Sequence, residues 1–176
     1  MSTTSKPLVN RVAASGLITF KLEEYLPSTP LVSLDLKDYL FQGLILREKD
    51  FREAMEAHEW EQYSSKVLLV HCSADAIVPL WAFMLVAAKA TPFAADVSFG
   101  SPDDYYRAHF AKTLAALDVE QFRDQRVIIK GCSDRPVPVS AYVEITKRLR
   151  PLAKSIMYGE PCSTVPIFKQ TTARKK

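Results

Sequence analysis

Glycine is scarce in this chain, with five in 176 residues. Neither Gly-x-Gly-x-x-Gly nor Gly-Lys-Ser/Thr occurs, so a glycine-rich loop that cradles a nucleotide is hard to place. Long hydrophobic runs are missing too. A membrane span needs roughly 20 apolar residues, and the longest stretch, Ala76 to Ala88, reads as a buried helix. The start, Met1 to Lys6, lacks the apolar core of a secretory signal. Charge of one sign is weak. The net charge is +3, and part of it is the tail Arg174, Lys175 and Lys176, which is too little to argue for a nucleic-acid partner. Cysteine is limited to three residues. An odd count without an export signal argues against a disulfide framework and points to a reducing cytoplasm.

What is present is ordinary for a globular protein: 48% hydrophobic and 24% charged residues. The length fits one domain with a real core. The expected layout is a disordered start over 1–8, a single α/β domain over 9–170, and a basic tail over 171–176.

Periodicity supplies the elements. Asn10 to Ala14 has room for one helical turn. Leu17 to Leu22 and Val32 to Leu36 are rich in strand formers, and the second alternates with period two. These two are expected to pair as a hairpin or to flank the main sheet. Phe41 to His58 reads as one helix, with Leu44, Phe51, Met55 and Trp60 on its apolar side. Glu48 and Arg52 are spaced for an ion pair on its solvated face. From Lys66 the chain alternates regularly. Val67–Val70, Val97–Gly100, Arg126–Lys130 and Ser155–Tyr158 read as strands. Pro79–Ala90, a helix from Ser101 to Leu117, and Pro138–Leu149 read as helices. The last should bury Val139, Tyr142, Val143, Ile145 and Leu149. This order predicts a three-layer α/β fold. It would hold a mainly parallel sheet of about four strands in βαβ units, plus the N-terminal pair.

The cysteines carry the functional signal. Cys72 closes Val67 to His71, Cys132 closes Val127 to Gly131, and Cys162 follows Ser155 to Gly159 by Glu160-Pro161. Each is followed by serine and soon by Val-Pro: Val78-Pro79, Val137-Pro138 and Val165-Pro166. In parallel α/β sheets the carboxyl ends of strands meet on one edge, where ligands bind. Three thiolates there would suit zinc or an iron–sulfur cluster. A cluster normally wants four cysteines, so one further ligand is needed. His71, Asp75, Asp134 and Glu160 are the candidates, and His71 is the natural choice by element type. Neighbours on a strand point to opposite faces, however, so His71 would face away from Cys72. Asp75 and Asp134 could instead cap helices. Lys130, Arg135, Lys154 and Lys169 could ring the site or be ordinary surface charges. His58 and His109 fall on expected helix surfaces.

Several of these segments resemble one known family. Gly16-Leu-Ile-Thr-Phe, Gly43-Leu-Ile-Leu-Arg-Glu-Lys-Asp-Phe-Arg-Glu, His71-Cys-Ser-x-Asp-Ala, Ile129-Lys-Gly-Cys-Ser and Gly159-Glu-x-Cys-Ser-Thr-Val-Pro are similar to the bacterial family of domain of unknown function 2480. The resemblance covers nearly the whole chain and assigns no activity. It implies, by association with sulfur-mobilisation genes, a link to iron–sulfur assembly proteins as partners.

The expectation is a metal- or iron–sulfur-binding accessory protein with Cys72, Cys132, Cys162 and His71 as ligands. The alternatives are a thiol-dependent enzyme or persulfide carrier, and a scaffold with inert buried cysteines. Neither oligomeric state nor metal identity is written in the sequence.

Overall fold

The computed structural model describes residues 16–130 and 137–171. The expected helical turn at Asn10–Ala14, the residues Cys132, Asp134 and Arg135, and the basic end of the tail lie outside them. The chain gathers into two compact units. The continuous unit is Pro27–His109, and the split unit joins Met1–Leu26 to Phe110–Lys176. The fold is α/β with mostly parallel sheets.

The continuous unit holds β2 (Leu31–Asp35), β5 (Val67–His71) and β6 (Asp96–Phe99) in the order β2-β5-β6, all parallel. Val67 to Val70 are all buried, as an unbroken apolar run demands when both sheet faces are covered. Helices α1 (Glu48–Ala57) and α2 (Leu80–Ala90) bury Phe51, Met55, Ala82, Val86 and Ala90 in a cluster with Leu34, Leu68 and Val70. On the opposite face Val67 and Leu69 cluster with Tyr105, from the start of α3 (Pro102–Ala116). Within this unit the three layers are therefore present.

The split unit holds β1 (Leu17–Phe20), β7 (Arg126–Ile129), β8 (Ser155–Glu160) and β9 (Ser163–Lys169) in that order. The first three are parallel, and β9 returns antiparallel to β8. Phe20, Val127, Ile129 and Ile156 cluster with Phe110 and Leu114 of α3 and with Ala141, Ile145 and Leu149 of α4 (Val139–Leu149). Each buried Val, Ile, Leu or Phe side chain among these contributes roughly 1.5–3 kcal/mol. Arg148 closes the last turn of α3, donating to the carbonyls of Leu114 and Leu117.

Several expectations are corrected. The strands expected as an N-terminal pair do not pair with each other. β1 lies beside β7, and β2 beside β5, each at the edge of its own sheet. The four strands expected in one sheet are likewise divided between two. The helix expected from Phe41 begins at Glu48. Before it, β3 (Leu40–Phe41) and β4 (Ile45–Leu46) form a small antiparallel hairpin. Gln42 and Gly43 both have positive φ, 51° and 71°, the geometry of a tight hairpin turn that no helix accepts. Leu44 is consequently exposed. On α4 the buried stripe is Ala141, Ile145 and Leu149, whereas Val139 and Val143 are exposed. The expected Glu48–Arg52 pair is present at 2.9 Å.

The two units are built alike. A shift of 59 positions carries β5–α2–β6 onto β7–α4–β8: Val67 to Arg126, Leu80 to Val139, and Asp96 to Ser155. The buried residues Ala82, Val86 and Ala90 fall on Ala141, Ile145 and Leu149. A shift of 14 carries β1 onto β2, and the registers agree: Leu17 pairs with Arg126 as Leu31 pairs with Val67. The 3₁₀ turns that follow, Leu22–Tyr25 and Leu36–Tyr39, each bury their first leucine completely.

Candidate functional site

At the carboxyl edge of the continuous unit's sheet two neighbouring strands end on polar residues. β2 ends at Asp35 and β5 at His71, and the two are register partners. Both follow the buried pair Leu34 and Val70, so strand alternation turns them to the face opposite α1 and α2. Asp35 Oδ1 accepts from the backbone N–H groups of Lys37 and Ser73, both at 3.0 Å. Its Oδ2 accepts from Ser73 Oγ at 2.6 Å, and Lys37 Nζ stands 3.4 Å away. Partial burial pushes the Asp35 carboxyl up. The hydrogen bonds from Ser73 and Lys37 outweigh it and hold the group well below the usual carboxylate range. Asp35 is thus an ionised anchor that ties the loop after β5 to the end of β2.

His71 Nδ1 lies 3.6 Å from Asp35 Oδ1, is buried, and makes no hydrogen bond. An ionised carboxylate beside Nδ1 favours the proton there, which leaves the lone pair on Nε2.

Cys72 turns the other way, as the alternation expected. It packs, partly buried, against the Leu34–Leu68–Val70 cluster, with Sγ 3.7 Å from the Ala74 carbonyl. Cys162 is exposed in the two-residue turn between β8 and β9. It belongs to the split unit and Cys72 to the continuous one. Cys132 is outside the described residues. The repeat also separates the cysteine phrases by count. Val70 and Ile129 hold matching places, yet Cys72 stands two residues beyond Val70 and Cys132 three beyond Ile129. Among the described residues no group of three His, Cys, Asp or Glu is placed to hold a metal.

The other candidates separate. Asp75 is exposed and does not cap α2, whose N-cap is Pro79 with no side-chain bond. Glu160 ends β8 with a buried, unpartnered Oε1. Lys130 pairs with Glu23 at 3.1 Å. Lys154 and Lys169 stand at the amino end of β8, away from the hairpin turn that bears Cys162, so they do not ring that thiol. His58 follows α1 instead of riding on it. It is half-buried between two tyrosines, with Nδ1 3.3 Å from Tyr39 Oη and Nε2 2.8 Å from Tyr63 Oη. Burial pushes its pKa down, against an opposing pull from Glu59. His109, on α3, has its ring 6.1 Å from that of Tyr105. Asp35 and Ser73 were missed in the sequence. The available signal was that Val32-Ser-Leu-Asp ends a half-buried strand on a carboxylate.

Residues 6–170 match the family model described as protein of unknown function (DUF2480), and the chain belongs to that family. No curated protein and no solved structure matches the chain. Among the described residues no helix is long and apolar enough to cross a membrane.

Proposed function

We propose that this is a cytoplasmic metal-binding accessory protein for zinc or an iron–sulfur centre, with His71 as a ligand at the carboxyl edge of the continuous unit's sheet. Cys72, on the opposite face of that sheet, does not join it there, and Cys132 and Cys162 stay candidate thiolates for the test. The observation that supports it is the buried, unpartnered Nδ1 of His71 beside the ionised Asp35. Metal-bound histidines commonly direct their second ring nitrogen at a carboxylate, which fixes the tautomer and strengthens the ligating nitrogen. Asp35 is itself fixed by Ser73 and Lys37, so it is suited to that supporting role. The partners of such a centre would be iron–sulfur assembly proteins.

The test is anaerobic purification with elemental analysis and a visible spectrum, comparing wild type with His71→Ala, Cys132→Ser and Asp35→Asn. Stoichiometric metal that falls in His71→Ala and Cys132→Ser, and falls more mildly in Asp35→Asn, supports the reading. Metal-free wild-type protein sinks it. A second reading, a thiol-dependent enzyme or persulfide carrier, is favoured by the exposure of Cys162 at the hairpin tip. It would show as one reactive thiol in metal-free protein.

A further inference from the structure

The internal repeat shows one edge closed and its counterpart open. In the split unit β8 has β7 on one side and β9 on the other. In the continuous unit its counterpart β6 has β5 on one side, and among the described residues no strand pairs with the other. The difference is visible at matching aromatics. Tyr158, whose register partner on β9 is Val165, is 40% exposed, while Phe99 is 70% exposed. Phe99 sits edge-on to Phe83 at 5.3 Å, as Tyr158 does to Tyr142 at 5.9 Å. A shallow groove of about 240 Å³ runs beside it, lined by Phe83, Met84, Val97 and Phe99 among others. Met84 and Leu80, on the adjoining face of α2, are 70% and 80% exposed.

We propose that the β6 edge is the interface of a homodimer, in which β6 pairs antiparallel with β6 of a second copy across a two-fold axis at Ser98. In that register Phe99 of each copy lies opposite Val97 of the other. This repeats the aromatic–valine pairing that Tyr158 and Val165 make in the split unit. Asp96 then falls opposite Gly100, so the two strand carboxylates do not meet. The same patch serves both copies, as a closed two-fold requires. Leu80, Met84 and Phe99 expose on the order of 500 Å² of surface per copy, in the upper part of the range of the largest patch on a monomer, which is often functional. With the strand backbone and a polar rim this approaches the roughly 800 Å² per partner of a standard interface. Asp96 Oδ1 takes the backbone N–H of Val97 at 2.9 Å. That local bond satisfies the strand while it has no partner, and it opposes pairing as edge charges do.

Sedimentation of the full chain tests this proposal, which is independent of the metal reading. Wild type is expected as a dimer at about 50 μM, a concentration at which even a micromolar complex is formed. Phe99→Glu should weaken the dimer at least about 100-fold, with unchanged far-UV circular dichroism. Val97→Pro removes both the N–H that Asp96 holds and the valine opposite Phe99, and should do the same, which covers the case in which Phe99→Glu misfolds. Asp96→Ser, the residue of the matching position in β8, should tighten the dimer. Val143→Glu, on the equivalent face of the split unit, should leave it unchanged. A wild type that stays monomeric, or a dimer lost in Val143→Glu but retained in Phe99→Glu and Val97→Pro, overturns the assignment.

Discussion

The continuous and split units share a frame and differ at its ends. One step beyond the matched pairs Leu34–Val70 and Phe20–Ile129 stand Asp35 with His71 in one unit, and Lys21 with Lys130 in the other. The first pair is clamped by Ser73. The lysines are instead taken up by Glu24 and Glu23. The apolar positions that make the sheet and seat the helix are the same in both, because packing at native density tolerates few alternatives. The residues at the carboxyl ends of these strands lie outside the apolar clusters, so they are free to differ in charge and chemistry. Function in such a repeat is therefore to be sought where the units diverge.

If the shared frame is what holds each unit together, removing its largest buried side chain should give the largest effects. Phe51 is 1% exposed in the continuous unit and Phe110 is 1% exposed in the split one. Phe51→Ala and Phe110→Ala are each expected to cost about 3–5 kcal/mol in denaturant melts. Both tryptophans, Trp60 and Trp81, lie in the continuous unit, so the Phe51→Ala loss should register in tryptophan fluorescence. A cost below about 1 kcal/mol for either would mean that the cluster is not the core it looks to be.

A finer comparison comes from the matched glycines. Gly100 and Gly159 both have positive φ, 107° and 123°. A Cβ on Gly159 would stand 2.4 Å from the backbone carbonyl of Ser163 in the tight β8–β9 hairpin. One on Gly100 would stand 2.8 Å from Asp104 Oδ2, a side chain able to swing aside. Gly159→Ala should therefore cost about 3 kcal/mol and Gly100→Ala about 1–2 kcal/mol. Equal melting of the two variants would show that backbone conformation alone sets the cost, without the clash.

Much of this frame was legible in the residues. Val67 to Val70 and Val127 to Ile129 announce buried parallel strands. Pro79 and Pro138 mark helix starts to within a residue, because a proline lacking an N–H is harmless there. The capping of α3 was equally readable: Ser101 Oγ accepts from the Asp104 N–H at 3.3 Å. The failures have physical causes. Leu44 fits helical spacing with Phe51 and Met55, and spacing does not see that Gln42-Gly43 turns the chain back. Val139 and Val143 fit the α4 stripe as well as Ala141 does, and only the sheet decides which side is covered. At the site, the turning of His71 away from Cys72 followed from strand alternation. Asp35 did not, because its contact with Ser73 spans 38 positions and no local pattern encodes it.

The units are also expected to differ in acid sensitivity. Tyr39 in the continuous unit bonds to His58, whereas its counterpart Tyr25 in the split unit stacks on Phe20. Burial lowers the pKa of His58 in the folded state. Between that lowered value and the unfolded value near 6.5 the unfolded chain binds more protons, so stability rises with pH through this window. It should be fully present above about pH 7 and lost as pH falls through the folded pKa. Burial also raises the pKa of Tyr39 and Tyr63, keeping both hydroxyls neutral. Melts at pH 7.5 and 5.5 should show wild type losing more stability on acidification than His58→Gln. An identical loss in the variant would remove His58 from the account.

The smallest expected stability effect comes from the thiols, and it bears most directly on function. Cys72 packs on the α1–α2 side of its sheet, whereas Cys162 is exposed in a turn. Replacing an exposed turn residue that makes no buried contact should change stability by less than about 0.5 kcal/mol. Cys162→Ser is therefore expected to melt as wild type does. Labelling should nonetheless change sharply. In a Cys132→Ser background freed of metal, a thiol reagent should react in a fast phase from Cys162 and a slow one from Cys72, since access governs both. Adding Cys162→Ser should abolish the fast phase alone. If metal added to the wild-type protein slows labelling of Cys72 and Cys162 together, read peptide by peptide, the two thiols share a centre, and the ligand set expected from the sequence gains its strongest support. If metal slows only Cys72, the centre belongs to the continuous unit, and Cys162 is free for thiol chemistry of its own.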